Sequence, residues 1–277
     1  MSDVLASAAA GEADPIFSAG HLRMRRCRHG VMLYSVNDIF LGRMLDLYGE
    51  LSEGEVALFA QILSPGAVAL DIGAHVGAHT LAMSRLVGSA GRVIAFEPQR
   101  AIFQMLAANL ALNAIRNVDA RHAACGAAPG TIAVPRTDIG AEANFGGVSM
   151  GGGEDRVELA TIDGLALPRC DLIKIDVEGM EAQVLAGGRA TIARLQPILY
   201  LENDREDKSS ALLRLLSELG YRCFAHTPPY VGPGNFRGRP VDMFANLVSM
   251  NLLCVPAARA SQVVGMTPVE APAGSSD

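Results

Sequence analysis

The chain has 277 residues, half of them hydrophobic, which is enough for one large domain or two small ones and excludes a small scaffold without a core of its own. Its 23 Lys and Arg against 29 Asp and Glu give a net charge of -6, and with 5% aromatics and no Trp it lacks both the clustered cations that track phosphates and a stacking platform for bases. Nucleic acid is therefore excluded as an expected partner. Five scattered Cys without a C-x-x-C pair suggest neither a disulfide framework nor a zinc site, and fit a reducing compartment. Positions 1–20 lack a charged region followed by an apolar run, and no apolar stretch reaches the length of a membrane span, so a cytoplasmic location without membrane contact is expected.

In chain order, residues 1–15 are rich in Ala and Ser and read as a disordered tail. The one basic cluster, Arg23, Arg25, Arg26 and Arg28, is short and reads as a solvated face. A turn at Ser64-Pro65-Gly66 precedes an apolar strand at 67–72, and a helix follows at 80–87. Residues 92–96 form a second strand, and the helix after Pro98 sets Ile102, Leu106 and Leu110 on one face. A third strand is predicted at 118–124. Residues 126–153 are glycine-rich and polar, and 156–161 alternate, which predicts a hairpin or flap. Strands at 172–177 and 198–201 enclose a helix at 180–195 interrupted by Gly187-Gly188. A helix at 209–219 stops at Gly220, and strands at 221–225 and 247–255 complete the pattern. Residues 256–277, with Pro, Ala, Gly and Ser, read as a second disordered tail. Strands alternating with helices predict an α/β fold, a Rossmann-like domain over 65–255 whose mostly parallel sheet has both faces covered and holds ligands at the strands' carboxyl ends.

The first of those ends reads Asp71-Ile72-Gly73-Ala74-His75-Val76-Gly77, an acid followed by two glycines in a turn that opens a helix. Glycine lets a backbone approach a ligand, and a helix N-terminus offers free N–H groups. A carboxylate at the start of such a loop repels pyrophosphate and suits a ligand with an amine, a sulfonium and a ribose, as in S-adenosylmethionine. Glu97 ends the second strand at the spacing after Gly77 where a ribose-binding acid is expected, about twenty residues on, with Pro98 behind it.

These residues resemble a class I S-adenosylmethionine-dependent methyltransferase, and more narrowly the FkbM family, over about residues 34–255. The similarity runs through Asn37-Asp38 and the lead-in from Tyr48 to Glu55, Asp71 to Thr80, Phe96-Glu97-Pro98, the paired Asn109 and Asn113, Leu201-Glu202-Asn203 and Asn251 to Val255. Its most specific stretch is Asp171-Leu172-Ile173-Lys174-Ile175-Asp176-Val177-Glu178-Gly179-Met180-Glu181. One departure is His75, where the family more usually carries Asn. The resemblance implies a seven-stranded sheet with an antiparallel last strand, S-adenosyl-L-methionine as cofactor, and mostly O-methyl transfer to small hydroxylated acceptors. Residues 16–64 are then a segment covering the cofactor, and Asn144 to Ser149 resembles a flap over it.

Cofactor contacts are expected from Asp71, Gly73, His75, Gly77, Thr80, Glu97, Pro98 and Asp176. Cys125 and Gly126 follow the third strand, where backbone meets adenine or where a thiol is simply buried. Glu50 and Glu55 either start a helix or reach the cofactor's amine, and His79 reads as first-turn helix. Asn109 and Asn113, four apart, read as a solvent face and a helix C-terminal cap. Lys174, Asp176 and Glu178 alternate and so share one side of their strand while it stays extended. Charges in so apolar a strand are costly unless paired or functional, and Lys174 with Asp176 fits a buried ion pair as well as a catalytic role. Asp176 is the first choice for the active-site carboxylate, and Glu178 is either a second one or a helix cap. Glu202 ends the next strand, and Asp176, Glu178 and Glu202 are placed to gather around a sugar or a divalent ion such as magnesium. His226 closes a strand as a base or as a satisfied core residue. Lys174, Glu202, Tyr230 and Asn235 are the expected acceptor contacts, the last two from a Pro- and Gly-shaped loop. N-methyl transfer, an NAD-dependent oxidoreductase and a non-catalytic binding module are the alternatives, the second opposed by the absence of G-x-G-x-x-G in the first loop.

Overall fold

Alternating side chains at the N-terminal end fold into an antiparallel three-stranded sheet of β1 (Phe17–Ala19), β2 (Leu22–Cys27) and β3 (Gly30–Ser35). The structure is a computed structural model that describes residues 14–241 and 243–270. The predicted tail at 1–15 thus falls almost wholly outside the described residues. On β2 the basic cluster is partly neutralised: Arg25 pairs with Asp46 at 3.2 Å, and Arg28 with Glu50 at 2.6 Å and Glu53 at 3.7 Å. Helices α1 (Leu41–Leu47) and α2 (Glu53–Ile62) follow.

The remaining strands are β4 (Val68–Ile72), β5 (Arg92–Phe96), β6 (Val118–Arg121), β7 (Ala123–Cys125), β8 (Gly130–Val134), β9 (Asp155–Ala160), β10 (Leu172–Ile175), β11 (Ile198–Glu202), β12 (Tyr221–His226), β13 (Asn251–Pro256) and β14 (Thr267–Val269). Between them run α3 (Ala78–Val87), α4 (Arg100–Leu112), α5 (Glu181–Ala186), α6 (Arg189–Leu195) and α7 (Glu206–Glu218). The main sheet has the order β14-β12-β13-β11-β10-β4-β5-β6. Seven of these strands form the expected sheet, parallel except for β13, which runs antiparallel between β11 and β12.

Three differences from the sequence reading have local causes. The predicted third strand breaks at His122, whose ring stacks on Phe103 at 5.2 Å, so β6 stays in the main sheet while β7 pairs with β9 in a separate sheet, β7-β9-β8. The predicted last strand begins only at Asn251, because residues 247–250 bond the loop ahead of it, through Tyr230 N to Leu247 O and Ser249 N to Pro228 O. The predicted tail at 256–277 contains a short 3-10 helix and β14, an eighth strand on the edge of β12, and its last seven residues lie outside the described ones.

Strand alternation sorts the core. Leu70, Ile72, Ile173, Ile175, Leu199 and Leu201 face α5, α6 and α7, while Ala69, Leu172 and Tyr200 face α2 and α3. The same parity puts Asp71 and Lys174, paired in register between β4 and β10, on the α2 and α3 side. Strand order reverses at β4 and β10, and the loops after them part there to leave a crevice.

Asn109 and Asn113 depart from the solvent-face reading. The Asn109 amide accepts from Leu33 N at 2.6 Å and donates to Leu33 O at 3.0 Å, and Asn113 does the same with Val31 at 2.9 and 2.7 Å. Four residues of helix advance about 6 Å and two of strand about 6.6 Å, so the two amides on α4 match alternate residues of β3 and act as a further strand for its edge. Asn109, fully buried, also donates to Val76 O at 2.8 Å in the first loop. Asn109→Ala is expected to destabilise the chain by about 1–3 kcal/mol, because buried backbone groups lose their partners. Chemical denaturation would read this as a lower midpoint with unchanged slope.

Candidate active site

The crevice is built from strand ends. After β4 the chain turns through Gly73, where φ is +85° and a Cβ would overlap the Asp176 carbonyl, so that the loops after β4 and β10 touch. Gly73 N and Ala74 N donate to Phe96 O at 3.0 and 2.9 Å, tying the loop to β5. His75 follows with φ +51°, a left-handed conformation in which Asn is at home and other side chains are rare. That supplies a backbone reason for Asn being usual at this position.

Glu97, buried at the end of β5, accepts His75 N at 2.9 Å on one oxygen and Gln99 N at 2.7 Å on the other. Each oxygen keeps a second lone pair, so the carboxylate presents two acceptors, as the two hydroxyls of a ribose require. Burial, countered by the two backbone donors, pushes its pKa up to about 7. Around it lies a cavity of about 310 Å³, with Ala123, Ala124, Cys125 and Pro98 toward one end and Lys174, Asp176, Glu178, Glu202 and Tyr230 toward the other. Both ring nitrogens of His75 are buried in this wall without a hydrogen-bond partner. Burial lowers the His75 pKa, so the ring is neutral.

At the β10 end, Lys174 Nζ lies 3.4 Å from Asp71 and 3.2 Å from Asp176. The Lys174 side chain is 4% exposed, and burial alone would discharge it, but Asp176, Asp71 and Glu55 outweigh burial and raise its pKa. Asp176 is 42% exposed on its side chain; its pKa falls despite burial because Lys174 holds the charged form. Glu178, in a left-handed turn at φ +54°, is bound by Arg205 and no longer continues the strand's alternation. Glu202 is pushed well above the carboxylate range by burial and by Asp176, Asp204 and Glu178. The expected carboxylates do gather, with Asp204 added: Glu178, Glu202 and Asp204 bring oxygens within 4.8 Å of one another, and Asp176 meets Lys174 on one side and the Glu202 carboxyl on the other.

Several expected contacts lie elsewhere. Glu50 does not line the cavity and instead accepts from Arg28 at 2.8 Å and Phe236 N at 2.6 Å, fastening the N-terminal sheet to a later loop. Asp71 sits beneath the cavity wall, bound by Lys174 and by the Thr80 hydroxyl at 2.6 Å, so Asp71 and Thr80 support the loop from behind. Gly77 starts α3 where a Cβ would press on Leu106, and Gly126 packs on Leu159, so both are packing positions. His226 bonds the Tyr200 hydroxyl at 2.8 Å outside the cavity, which removes it as the base. Asn235 stitches its own loop through Gly232 O and Arg239 O.

The cavity also holds Glu55, expected either to start a helix or to reach the cofactor's amine, and His79, read only as first-turn helix. Glu55, 3% exposed on α2, and His79 on α3 both line it, with His79 Nε2 4.0 Å from Glu55 and neutral because burial, aided by Lys174, lowers its pKa to about 4. For His79 the only sequence signal is a polar residue on a helix face that is otherwise buried. Phe40, Leu41 and Leu51 contribute from the N-terminal segment, and Asn144, Gly146, Gly147, Val148 and Met150 from the flap.

This sheet order, with a strand-end acid and a crevice at the switch point, is a Rossmann-like arrangement with its ligand site where the strand order reverses. The methyltransferase FkbM domain matches residues 71–223, and the chain belongs to the FkbM methyltransferase family. Among curated proteins none matches the chain. Among solved structures it is similar to methyltransferase FkbM from Methylobacillus flagellatus KT, with 17% identity and a TM-score of 0.46 over 72% of this chain and 50% of that one. It thus spans half the length of that protein. It is also similar to a SAM-dependent O-methyltransferase from Thermotoga maritima, with 16% identity and a TM-score of 0.48 over 84% and 76% of the two chains. A third is precorrin-6y C5,15-methyltransferase from Geobacter metallireducens GS-15, with 16% identity and a TM-score of 0.47 over 76% and 94%. No helix among the described residues is long and apolar enough to cross a membrane.

The free lone pairs of Glu97 and the His75 ring, whose nitrogens make no hydrogen bond although Nε2 lies 3.7 Å from Asp38, fit S-adenosylmethionine, whose ribose and methionine ends need such groups. Because Glu97 titrates near 7 and its charged form is the better acceptor, affinity for S-adenosylhomocysteine is expected to rise between pH 6 and 8. Calorimetric titration across that range reads the effect, and Glu97→Gln should flatten it.

Proposed function

We propose that the chain transfers a methyl group from S-adenosylmethionine to a hydroxyl of a small molecule of sugar or natural-product type, with Asp176 as the base. When bound, the cofactor would supply an electrophilic methyl carbon, with the neutral thioether S-adenosylhomocysteine as the leaving group. Glu97 holds the ribose, Pro98 and the Ala123–Cys125 wall flank the base, and His75 donates to the methionine carboxylate. The acceptor occupies the end lined by Asp176, Glu178, Glu202 and Tyr230, where burial and exclusion of water keep the reacting atoms aligned.

The observation that carries this reading is the pair Lys174 and Asp176, a buried cation 3.2 Å behind a carboxylate that is open to the cavity. Lys174 keeps Asp176 ionised, so it accepts a hydrogen bond from the acceptor hydroxyl and aims an oxygen lone pair at the methyl group. A carboxylate of low pKa is a weak base toward a free alcohol. As the new bond to oxygen forms, however, the hydroxyl proton becomes strongly acidic and passes to Asp176. The same low pKa disfavours an amine acceptor, which Asp176 would hold as a protonated, non-nucleophilic ammonium. Glu202, with its pKa raised, carries a proton at neutral pH and donates to a second oxygen of the acceptor.

The test is incubation with S-adenosylmethionine carrying a 13C methyl group and a small-molecule extract of the source cells, read by carbon NMR. Label in an O-methyl group is expected. Label in an N-methyl group would overturn the assignment of the acceptor atom.

A further inference from the structure

Gln99 follows the ribose-binding acid by two residues and, although polar, is 4% exposed. Its backbone N–H donates to Glu97 Oε1 at 2.7 Å. Its side chain turns the other way, donating to Phe145 O at 2.8 Å and accepting from the Thr137 hydroxyl. Both of those groups belong to the segment between β8 and β9. Beyond Phe145, whose ring is buried against α4 and the first loop, the chain runs through Gly146 and Gly147 to Val148 and Met150, and these four residues line the cavity.

The segment is held from two sides. On the N-terminal side, Ile39 N donates to Ala143 O and Ala143 N to Asn37 O, both at 3.0 Å, with Arg43 paired to Glu142 at 2.7 Å. On the side of the cofactor strand, the buried attachment is Gln99. The tip has local hydrogen bonds, from Gly146 N and Gly147 N to the Asn144 side chain at 3.1 and 3.2 Å and from Val148 N to Gly146 O at 2.9 Å. Gly146 and Gly147 are exposed on their outer face, so the wall here is a single chain thick.

We propose that Gln99 is the latch of this flap: residues 146–150 form the door through which the cofactor enters and its demethylated product leaves, and the Gln99 side chain sets how often it opens. Because one residue touches Glu97 with its main chain and the flap with its side chain, ribose binding and door closure share a fixed element. Gln99 acts on the cofactor through the flap and is a positioning residue. The inference rests on the cavity being the S-adenosylmethionine site.

The experiment is stopped-flow measurement of S-adenosylhomocysteine dissociation from the full chain and from Gln99→Ala, Gln99→Glu and Thr137→Val, with thermal midpoints recorded for each. Loss of one or two net hydrogen bonds predicts dissociation about five- to tenfold faster in Gln99→Ala, as fast or faster in Gln99→Glu, where a carboxylate oxygen meets the Phe145 carbonyl, and an intermediate rate in Thr137→Val. Limited proteolysis of the ligand-free variants should show cleavage within 137–150 accelerated in the same order, an effect that general loosening of the core would not confine to the flap. If Gln99→Ala does not fold, Thr137→Val carries the test. Unchanged dissociation in folded variants overturns the latch. Failure of the unsubstituted chain to bind S-adenosylhomocysteine overturns the cofactor reading, and the latch with it.

Discussion

Asp176→Asn is expected to lower turnover by about 10²- to 10⁴-fold while S-adenosylhomocysteine affinity changes little. The amide keeps the size and the cavity position of the side chain but loses the negative charge that Lys174 stabilises and the lone pair that receives the proton. It also presents an N–H to the acceptor hydroxyl, reversing the direction of that hydrogen bond. Cofactor binding is retained because Asp176 meets the Gly73 loop through its backbone, with Asp176 N donating to Ile72 O at 3.0 Å. Calorimetric titration and single-turnover kinetics measured side by side separate the two effects. Full activity in a folded Asp176→Asn variant would move the base elsewhere.

Lys174→Met should be the most destabilising single change in the site. Asp71 is fully buried and Glu55 nearly so, and without the ammonium they stay beside Asp176 with no cation in contact. Removing one member of a buried pair costs about 3–5 kcal/mol, or a fall in melting temperature of about 10 °C for a chain of this size. The sign with pH follows from the two shifts. Lys174 has its pKa raised from 10.5, so its contribution is complete below that value and is lost only as pH rises through the folded value. Asp176 has its pKa lowered from 3.8, so its contribution is complete above that value and is lost as pH falls through the folded value. The Lys174–Asp176 contribution should therefore be constant across the neutral range, and Lys174→Met should approach the unsubstituted chain in acid, where protonation discharges the stranded carboxylates. Adding Asp71→Asn to Lys174→Met should recover part of the stability without recovering turnover. Equal stability of Lys174→Met and the parent at pH 7 would sink the account.

The parts of the fold that were legible in sequence are those governed by local period. Apolar runs of four to six residues between Gly or Pro turns marked β4, β5, β10 and β11, and helical spacing marked α4 and α7. Paired elements whose partner lies far along the chain were not legible. β14 is three residues long and exists because β12 offers an edge, while β7, past the break at His122, pairs with β9. Neither edge is visible in the strand's own residues.

The site divides in the same way. Glu97, Pro98, His75, Cys125 and Asp176 line the cavity as their strand-end positions suggested, because a strand that feeds a turn at the switch point aims its next residues there. Asp71, Thr80, Gly77, Glu50, Asn235 and His226 stand near the same loops in sequence terms, yet face a lysine, a carboxylate, a leucine, an arginine, a backbone carbonyl and a tyrosine. His79 and Gln99 enter from a helix and a turn whose periodicity marks them as ordinary, whereas Glu55 reads in sequence either as a helix start or as a cofactor contact.

By itself, the amino-acid sequence determined the class of fold, the strand that carries Lys174 and Asp176, and the strand-end acid Glu97 that lines the cavity, because hydrophobic period and strand-end position are short-range properties. Only the tertiary structure decided which polar groups see the cavity and which are neutralised behind it. A carboxylate's role depends on the charge 3 or 4 Å away, and for Asp71 that neighbour, Lys174, comes from the adjacent strand β10.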